Sequence, residues 1–325
     1  MKEAEAMDDE QIETLRKNIG GPKLIETHIS WLLLDEFVYK IKKPVKFSFL
    51  DFTTMEKRKF ACEEEVRLNR RLSPDVYLGV VPITENFTIG GEGETIDYAV
   101  KMKKLPQDRR MDILLKNGNV NAGHIRKIAD MVAEFHKRID VIKGKDYATA
   151  KLVKKQIDDL GNFRKAVEEA TGFGKKVDFI LERSDSFIEK NAELFEKRQN
   201  EGRIKDCHGD LHSANIFILE DEIVIFDCIE FNKDFRFIDV ASEIAFMSMD
   251  LDAFGREDLS RLFVDSYLAK AQDTELEKML KIYKCYRANV RAKVAAIDWM
   301  QNKSQDAKER IGKYIVLAER YAKEL

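Results

Sequence analysis

From Lys23 to Val45 the apolar positions of the chain no longer follow a helical period and fall in short β-prone runs. Lys23–Ile25 and Ile29–Leu34 are apolar and β-prone, Asp35-Glu36 marks a turn, and Phe37–Lys43 alternates before Pro44, which predicts three strands. The period of two puts Lys40 and Lys42 on one face of the third strand. The pattern turns helical over 55–72, where Cys62, Val66 and Asn69 fall along one stripe and Glu63, Glu64 and Glu65 follow one another. Strands are predicted again over Val76–Ile83, Phe87–Ile89 and Thr95–Lys103. Gly90-Gly91-Glu92-Gly93 leads into a strand and not a helix, so it reads as a hairpin turn and not a phosphate loop. Pro106 ends the extended run Met102-Lys103-Lys104-Leu105. Residues 1–18 read as a charged amphipathic helix at the periphery.

Beyond Pro106 the helical period dominates. Helices are predicted over Arg109–Asn117 and His124–Ile139, the second with Ile125, Ile128, Val132 and Phe135 on one side and His136 as a packed or capping residue. Residues 148–200 read as two long charged helices broken near Gly172-Phe173-Gly174. Further helices run through Tyr286–Lys293 and 304–325. One stretch, 206–230, interrupts them: a tight loop, an apolar strand Ile216–Leu219, an acidic turn, and a second strand Ile223–Phe226 that ends on Asp227.

Composition narrows the class. The 325 residues carry 56 basic and 59 acidic side chains, so no global charge argues for nucleic acid or an anionic membrane as partner. A 44% hydrophobic and 35% charged content fits a soluble, helix-rich protein. No apolar run approaches the roughly eighteen residues of a membrane helix, and the acidic N-terminus has no signal-peptide core. The four cysteines (62, 207, 228, 285) are scattered, which favours reduced thiols and a cytoplasmic location.

The chemistry concentrates in 206–230. Asp210, Asn215 five residues later and Asp227 twelve after that stand at the offsets of a phosphoryl-transfer site: an Asp to orient and deprotonate a hydroxyl, an Asn and a strand-end Asp to hold Mg²⁺. His208, Asp210 and His212 also alternate like metal ligands of a hydrolase, but that reading needs further ligands, and His28, His124 and His136 are scattered. The segment His208-Gly209-Asp210-Leu211-His212-Ser213-Ala214-Asn215 resembles the catalytic loop H-G-D-x-x-x-x-N of the aminoglycoside phosphotransferase-like (choline kinase-like) small-molecule kinases, and Asp227 resembles their metal-binding Asp. The resemblance covers about residues 20–300.

That resemblance implies an α+β, bilobal protein-kinase-like fold: a small antiparallel-sheet lobe over 1–105 and a large, mainly helical lobe over 106–325 with the catalytic loop and a helical substrate subdomain. It implies ATP (or GTP) and Mg²⁺, with Asp210 catalytic and Asn215 and Asp227 on the metal. Lys40, with Lys42 as the alternative, aligns with the family's phosphate-contacting Lys, and Glu65, with Glu64 as the alternative, is its helix partner. Ser30 and its neighbouring amides would approach the phosphates, and Met102, Lys103 and Lys104 would line the base pocket at a hinge. Glu230 stands three residues after Asp227 where the family often carries an acid two after, which puts a metal role in doubt. Asp239 opens a helix as an N-cap that steadies the catalytic loop, and Asp250-Leu251-Asp252 follows that helix towards the substrate. Arg287 and Arg291, four apart, share a helix face suited to a phosphate or carboxylate of the acceptor, or a solvated one. Some relatives continue into a P-loop domain. No G-x-x-x-x-G-K-[ST] occurs here, so a stand-alone form is expected. The expected activity is transfer of the γ-phosphate to a hydroxyl of a small molecule (a sugar, an aminoglycoside-like compound or another metabolite). The alternatives are a protein side chain as acceptor, nucleotidyl transfer, or a silent nucleotide-binding module.

Overall fold

A computed structural model describes residues 7–47, 50–144 and 146–325. They form two compact units, one of residues 1–110 and 215–233, the other of 111–214 and 234–325. The division does not follow a single cut near residue 105, because the hairpin after the catalytic loop packs with the first unit.

The first unit is built on five antiparallel strands, β1 (Lys23–Glu26), β2 (Ser30–Leu34), β3 (Phe37–Lys42), β4 (Tyr77–Thr84) and β5 (Thr95–Lys103), in the order β1-β2-β3-β5-β4. Strand alternation gives the sheet two different faces. Trp31, Leu33, Ile41 and Ala99 turn to one of them and bury Met7 together with Ile12 and Leu15 of helix α1 (Asp9–Asn18). This corrects the expectation of a peripheral helix: both apolar residues of α1 are core, and Trp31 Nε1 donates to Asp9 at 3.1 Å. Residues 1–6 of the expected helix lie outside the described residues. Val38, Val100 and Met102 turn to the other face, against Cys62 and Val66 of helix α2 (Met55–Asn69). Phe87–Ile89 is not a strand. Only a single bridge, Ile83 to Ile89, forms there, and Phe87 takes φ 51° inside the β4–β5 connection.

The hairpin Ile216–Ile218/Ile223–Ile225 closes this unit, with Phe217 and Val224 in the same apolar cluster as Cys62, Val66, Tyr77 and Val100.

The second unit is helical. The principal helices are α3 (Ala122–Arg138), α4 (Val240–Ala253), α5 (Leu276–Asn302) and α6 (Gln305–Ala322). Ala288, Ala292, Ala295 and Ala296 make a small-residue stripe on α5 at helical spacing, so α6 approaches through Ile311, Ile315 and Ala318. The segment expected as two long helices is instead Ala150–Asp158, a 3₁₀ turn Asp159–Phe163, Arg164–Thr171, Gly174–Lys190 and Ala192–Asn200. The expected break is there: Gly172 ends its helix at φ 73°, a left-handed cap that side-chain-bearing residues avoid. Likewise Arg109–Asn117 resolves into a 3₁₀ turn Gln107–Arg109 and a helix Met111–Lys116. Asp250, Leu251 and Asp252 do not follow α4; they lie within it, buried. Among the described residues no helix is long and apolar enough to cross a membrane, and the four cysteines are buried free thiols.

Candidate active site

In the first unit the two lysines that strand alternation puts on one face of β3 converge on one carboxylate. Lys40 Nζ donates to Glu65 Oε1 at 2.8 Å, and Lys42 Nζ to Glu65 Oε2 at 2.5 Å. Lys40 reaches Asp227 Oδ1 as well, at 2.8 Å, and Lys42 pairs with Glu230. The choice between Lys40 and Lys42 therefore has both as its answer for Glu65, while only Lys40 joins Glu65 to Asp227. Glu64 turns outward to Arg67 at 2.7 Å. A half-buried and a buried cation face three carboxylates here. Burial disfavours the charge on Glu65, yet the two ammonium groups outweigh it and bring its pKa down to about 2. Burial also opposes the charge on Lys40, and Asp227, Glu65 and Glu230 overcome it, so Lys40 stays protonated. The pKa of Glu230 is raised, first by burial of its side chain and then by Glu65, against the opposing pull of Lys42.

The turn bearing Asp227 is positioned by the sheet and α2. Asp227 has φ 65°, a left-handed conformation that Asp tolerates better than most residues. Its N–H donates to Tyr77 Oη at 3.1 Å, the next amide, of Cys228, donates to Asn69 Oδ1 at 2.8 Å, and Ser73 Oγ donates to Ile225 O at 2.7 Å. Asn215 starts the same hairpin, and its carbonyl accepts from Phe226 N at 3.1 Å. Asn215 and Asp227 offer oxygen donors only, the donor type a hard cation such as Mg²⁺ takes.

In the second unit a two-strand ladder, Ile204–Asp206 with Phe237–Asp239, delivers the loop that carries Asp210. Gly209 sits at φ 89°, and its backbone is held at both ends: its N–H donates to Glu243 Oε1 at 2.7 Å, and its carbonyl accepts from Arg287 Nη1 at 3.1 Å. Four residues on, Ser213 donates through N and Oγ to Asp250 Oδ2, at 2.9 and 2.5 Å. Glu243 and Asp250 are two turns apart on α4, so one helix face grips both ends of the loop. Glu243 is itself anchored by His136 at 2.7 Å, whose other ring nitrogen meets Tyr267 Oη at 2.8 Å. His136, Cys207 and Glu243 form the one buried His/Cys/acid group of metal-binding compactness among the described residues, but these hydrogen bonds already occupy His136 and Glu243. His136 is thus a packed residue, as its helix position suggested. Asp210 Oδ2 lies 3.3 Å from His212 Nε2. Burial works against the Asp210 charge, but His212 and then Arg291 hold its pKa well below the usual carboxylate range, so it is ionised at neutral pH.

Other expected positions fall as follows. Ser30 is fully buried, with its Oγ unpartnered and its N–H taken by Thr27 Oγ1 at 3.0 Å, so its hydroxyl is not presented to solvent. Met102 points into the α2 cluster, and the Lys103 amide is committed to Val76 O at 2.9 Å; the side chains of Lys103 and Lys104 are exposed. Asp239 caps α4 through Ala241 N at 2.8 Å and also binds Arg198, which bridges it to Asp273. Arg287 is not on a ligand-binding or solvated face. It is buried, donates to Ser242 and Gly209, and stacks over Phe246, which makes it a brace for the loop. Sequence reasoning missed Tyr77, Glu243, Arg198 and the Lys42–Glu230 pair. No local motif marks them, because each acts on a partner far away in the chain.

No family model matches the chain. It is 31% identical over 294 residues to uncharacterized proteins of Mycobacterium tuberculosis (strain ATCC 25618 / H37Rv) and Mycobacterium bovis, covering 90% of this chain and 58% of theirs. The chain thus spans little more than half the length of these curated relatives. Among solved structures it is similar to choline kinase from Cryptosporidium parvum Iowa II (TM-score 0.57, 15% identity, 98% of this chain and 96% of that one). It is also similar to a Plasmodium vivax ethanolamine kinase (0.54, 12%, 91% and 81%) and to the GDP complex of an aminoglycoside 2'-phosphotransferase-IIIa (0.53, 13%, 98% and 99%). The chain has the α+β kinase-like fold of the choline kinases and aminoglycoside phosphotransferases.

Proposed function

We propose that this protein is a phosphotransferase that moves the γ-phosphate of ATP, or of GTP, to a hydroxyl of a small molecule in the cytoplasm. The observation that carries the reading is the Lys40 ammonium held at 2.8 Å from both Glu65 and Asp227. A cation fixed between a helix Glu and a strand-end Asp is the arrangement that positions nucleotide phosphates in kinases. Lys40 would contact those phosphates, with Glu65 holding it extended. Asn215 and Asp227 would hold Mg²⁺, which supplies charge neutralisation on the phosphate oxygens. The backbone at Met102–Lys104 would line the base pocket.

Asp210 would orient the acceptor hydroxyl and accept its proton as the oxygen attacks phosphorus and the nucleoside diphosphate leaves. A carboxylate as acidic as Asp210 is a weak base, so its main contribution in this reading is orientation, with the proton transferred late. The test is nucleoside diphosphate release with Mg·ATP against pooled hydroxyl-bearing metabolites. Asp210→Asn should lower kcat by about 10²–10⁴ while retaining nucleotide binding. Asp227→Asn, which tolerates the same left-handed backbone, should lose metal-dependent nucleotide binding. Equal loss of binding in both variants would count against these roles.

A further inference from the structure

Beside Asp210 the second unit holds cations that its own carboxylates leave uncompensated. Arg291 of α5 is half-buried and, among the described residues, forms no ion pair; its guanidinium lies 5.5 Å from the centre of the Tyr314 ring. Lys313 of α6 is 5.7 Å from the same ring and 4.9 Å from that of Phe254, also without an ion pair, so the two cations share one aromatic surface.

Arg291 shares a side-chain hydrogen bond with Tyr314, and its other close polar contact offers no acceptor. Ala214 N–H donates to His212 Nδ1 at 3.2 Å, so Nε2 is the ring nitrogen that carries a proton. That proton faces Asp210 Oδ2, and Arg291 Nη1, 3.3 Å from the same Nε2, meets a donor. The groups facing the two cations from the neighbouring elements are Asp210 and His212 of the loop, Asp250 of α4, Tyr314 of α6, and Lys116 at the end of the Met111–Lys116 helix. Asp250 is spent on Ser213, and Asp210 is the group proposed to hold the hydroxyl. Three cations thus stand against two committed carboxylates. Tyr314 takes part of the five guanidinium donors, and an oxyanion can accept from those that remain.

We infer that the acceptor is an alcohol carrying an oxyanion, a carboxylate or a phosphate ester, which Arg291 and Lys313 bind while its hydroxyl lies on Asp210. The inference rests on the phosphotransferase reading and names the substrate class of the same site. Two steps of 3.3 Å, through His212 Nε2, separate Asp210 Oδ2 from Arg291 Nη1, so hydroxyl and oxyanion belong to one small molecule such as a hydroxy acid or a sugar phosphate. A choline kinase and an ethanolamine kinase are among the solved proteins of this fold, so the inference separates this chain from them by acceptor charge.

The experiment is equilibrium titration of the protein, Mg·ADP present throughout, with glycerate and glucose 6-phosphate on one side and choline and glucosamine on the other. It is repeated on Arg291→Gln and on Lys313→Gln, and turnover with ATP is measured in parallel. The expected result is saturable binding of an anionic probe that weakens about tenfold or more in each variant, together with a raised acceptor KM and an unmoved KM for ATP. Lys313 is exposed, so its variant reports even if Arg291→Gln fails to fold. Binding of the amino compounds alone would overturn the inference, as would anion binding that both variants leave intact. A KM shift confined to ATP would overturn it as well, since the cations would then serve the nucleotide. Failure of the phosphotransferase reading shows separately, as absent Mg·ADP binding in the parent protein.

Discussion

Glu65 and Glu230 share Lys42 and are both buried, yet they answer differently to the same charge balance. Glu65 accepts from two ammonium groups, and its pKa falls from 4.5 to about 2. A carboxyl depressed by folding contributes stability that is fully present above its unfolded pKa and is lost as pH falls towards the folded one. For Glu65 that window runs from about 4.5 down to about 2. Glu65→Gln strands Lys40 and Lys42 with less compensation and should cost about 3–5 kcal/mol at neutral pH. It should also flatten the acid limb of the stability curve in that window, which denaturant unfolding at a series of pH values would measure. Glu230 has the opposite sign: its raised pKa means the folded state prefers the proton, so ionisation costs stability as pH rises through that value. Glu230→Gln relieves this cost and leaves Lys42 on Glu65, so a change within about 1 kcal/mol is expected. Equal penalties for the two variants would show that Lys42 depends on both carboxylates alike.

At the scale of elements, α1 tests how far the fold is written locally. Its charged sequence reads as surface, but Ile12 and Leu15 lie three apart and close one face of the sheet together with Met7, Trp31 and Ile41. Leu15→Ala should cost about 2–5 kcal/mol in denaturant unfolding, as expected of a fully buried leucine. Phe60→Ala on α2, 64% exposed, should stay within about 0.5 kcal/mol. A small effect at Leu15 would return α1 to the periphery. The strands are legible in the sequence because Trp31–Leu34 is a short apolar run and alternation survives in Tyr39–Lys42 and Thr95–Lys103, and the same period brings Lys40 and Lys42 to one face. Which of Glu63, Glu64 and Glu65 meets them is not legible: adjacent helix positions differ by about 100°, and only the packing of Cys62 and Val66 sets the phase. The helices of 148–200 are legible as helical and in the break at Gly172, but not in their other breaks, since Asn191 is neither proline nor glycine and Gly161 lies inside the Asp159–Phe163 turn and not at a helix end.

At the scale of the molecule, the motif that reads as one unbroken string is shared out by packing. Asp210 and its loop are tied to α4 and α5 of the second unit through Glu243, Asp250 and Arg287, while Asn215, Asp227 and their hairpin belong to the first unit through Phe217 and Val224. No spacing in the sequence reveals this, because the contacts that decide it span 34 to 159 residues. The consequence is a division of labour that variants should follow. Tyr77→Phe and Asn69→Ala remove the hydrogen bonds that hold the Asp227 turn, and calorimetric titration with Mg·ADP should show affinity reduced about tenfold, each loss being worth about 1–2 kcal/mol. Glu243→Gln and Asp250→Asn loosen the Asp210 loop instead, and they should leave that affinity in place while lowering kcat. A fall in nucleotide affinity of the same size from both pairs would mean that loop and hairpin respond as one body. Separate responses would mean that each half of the motif keeps its geometry through the unit it is packed in.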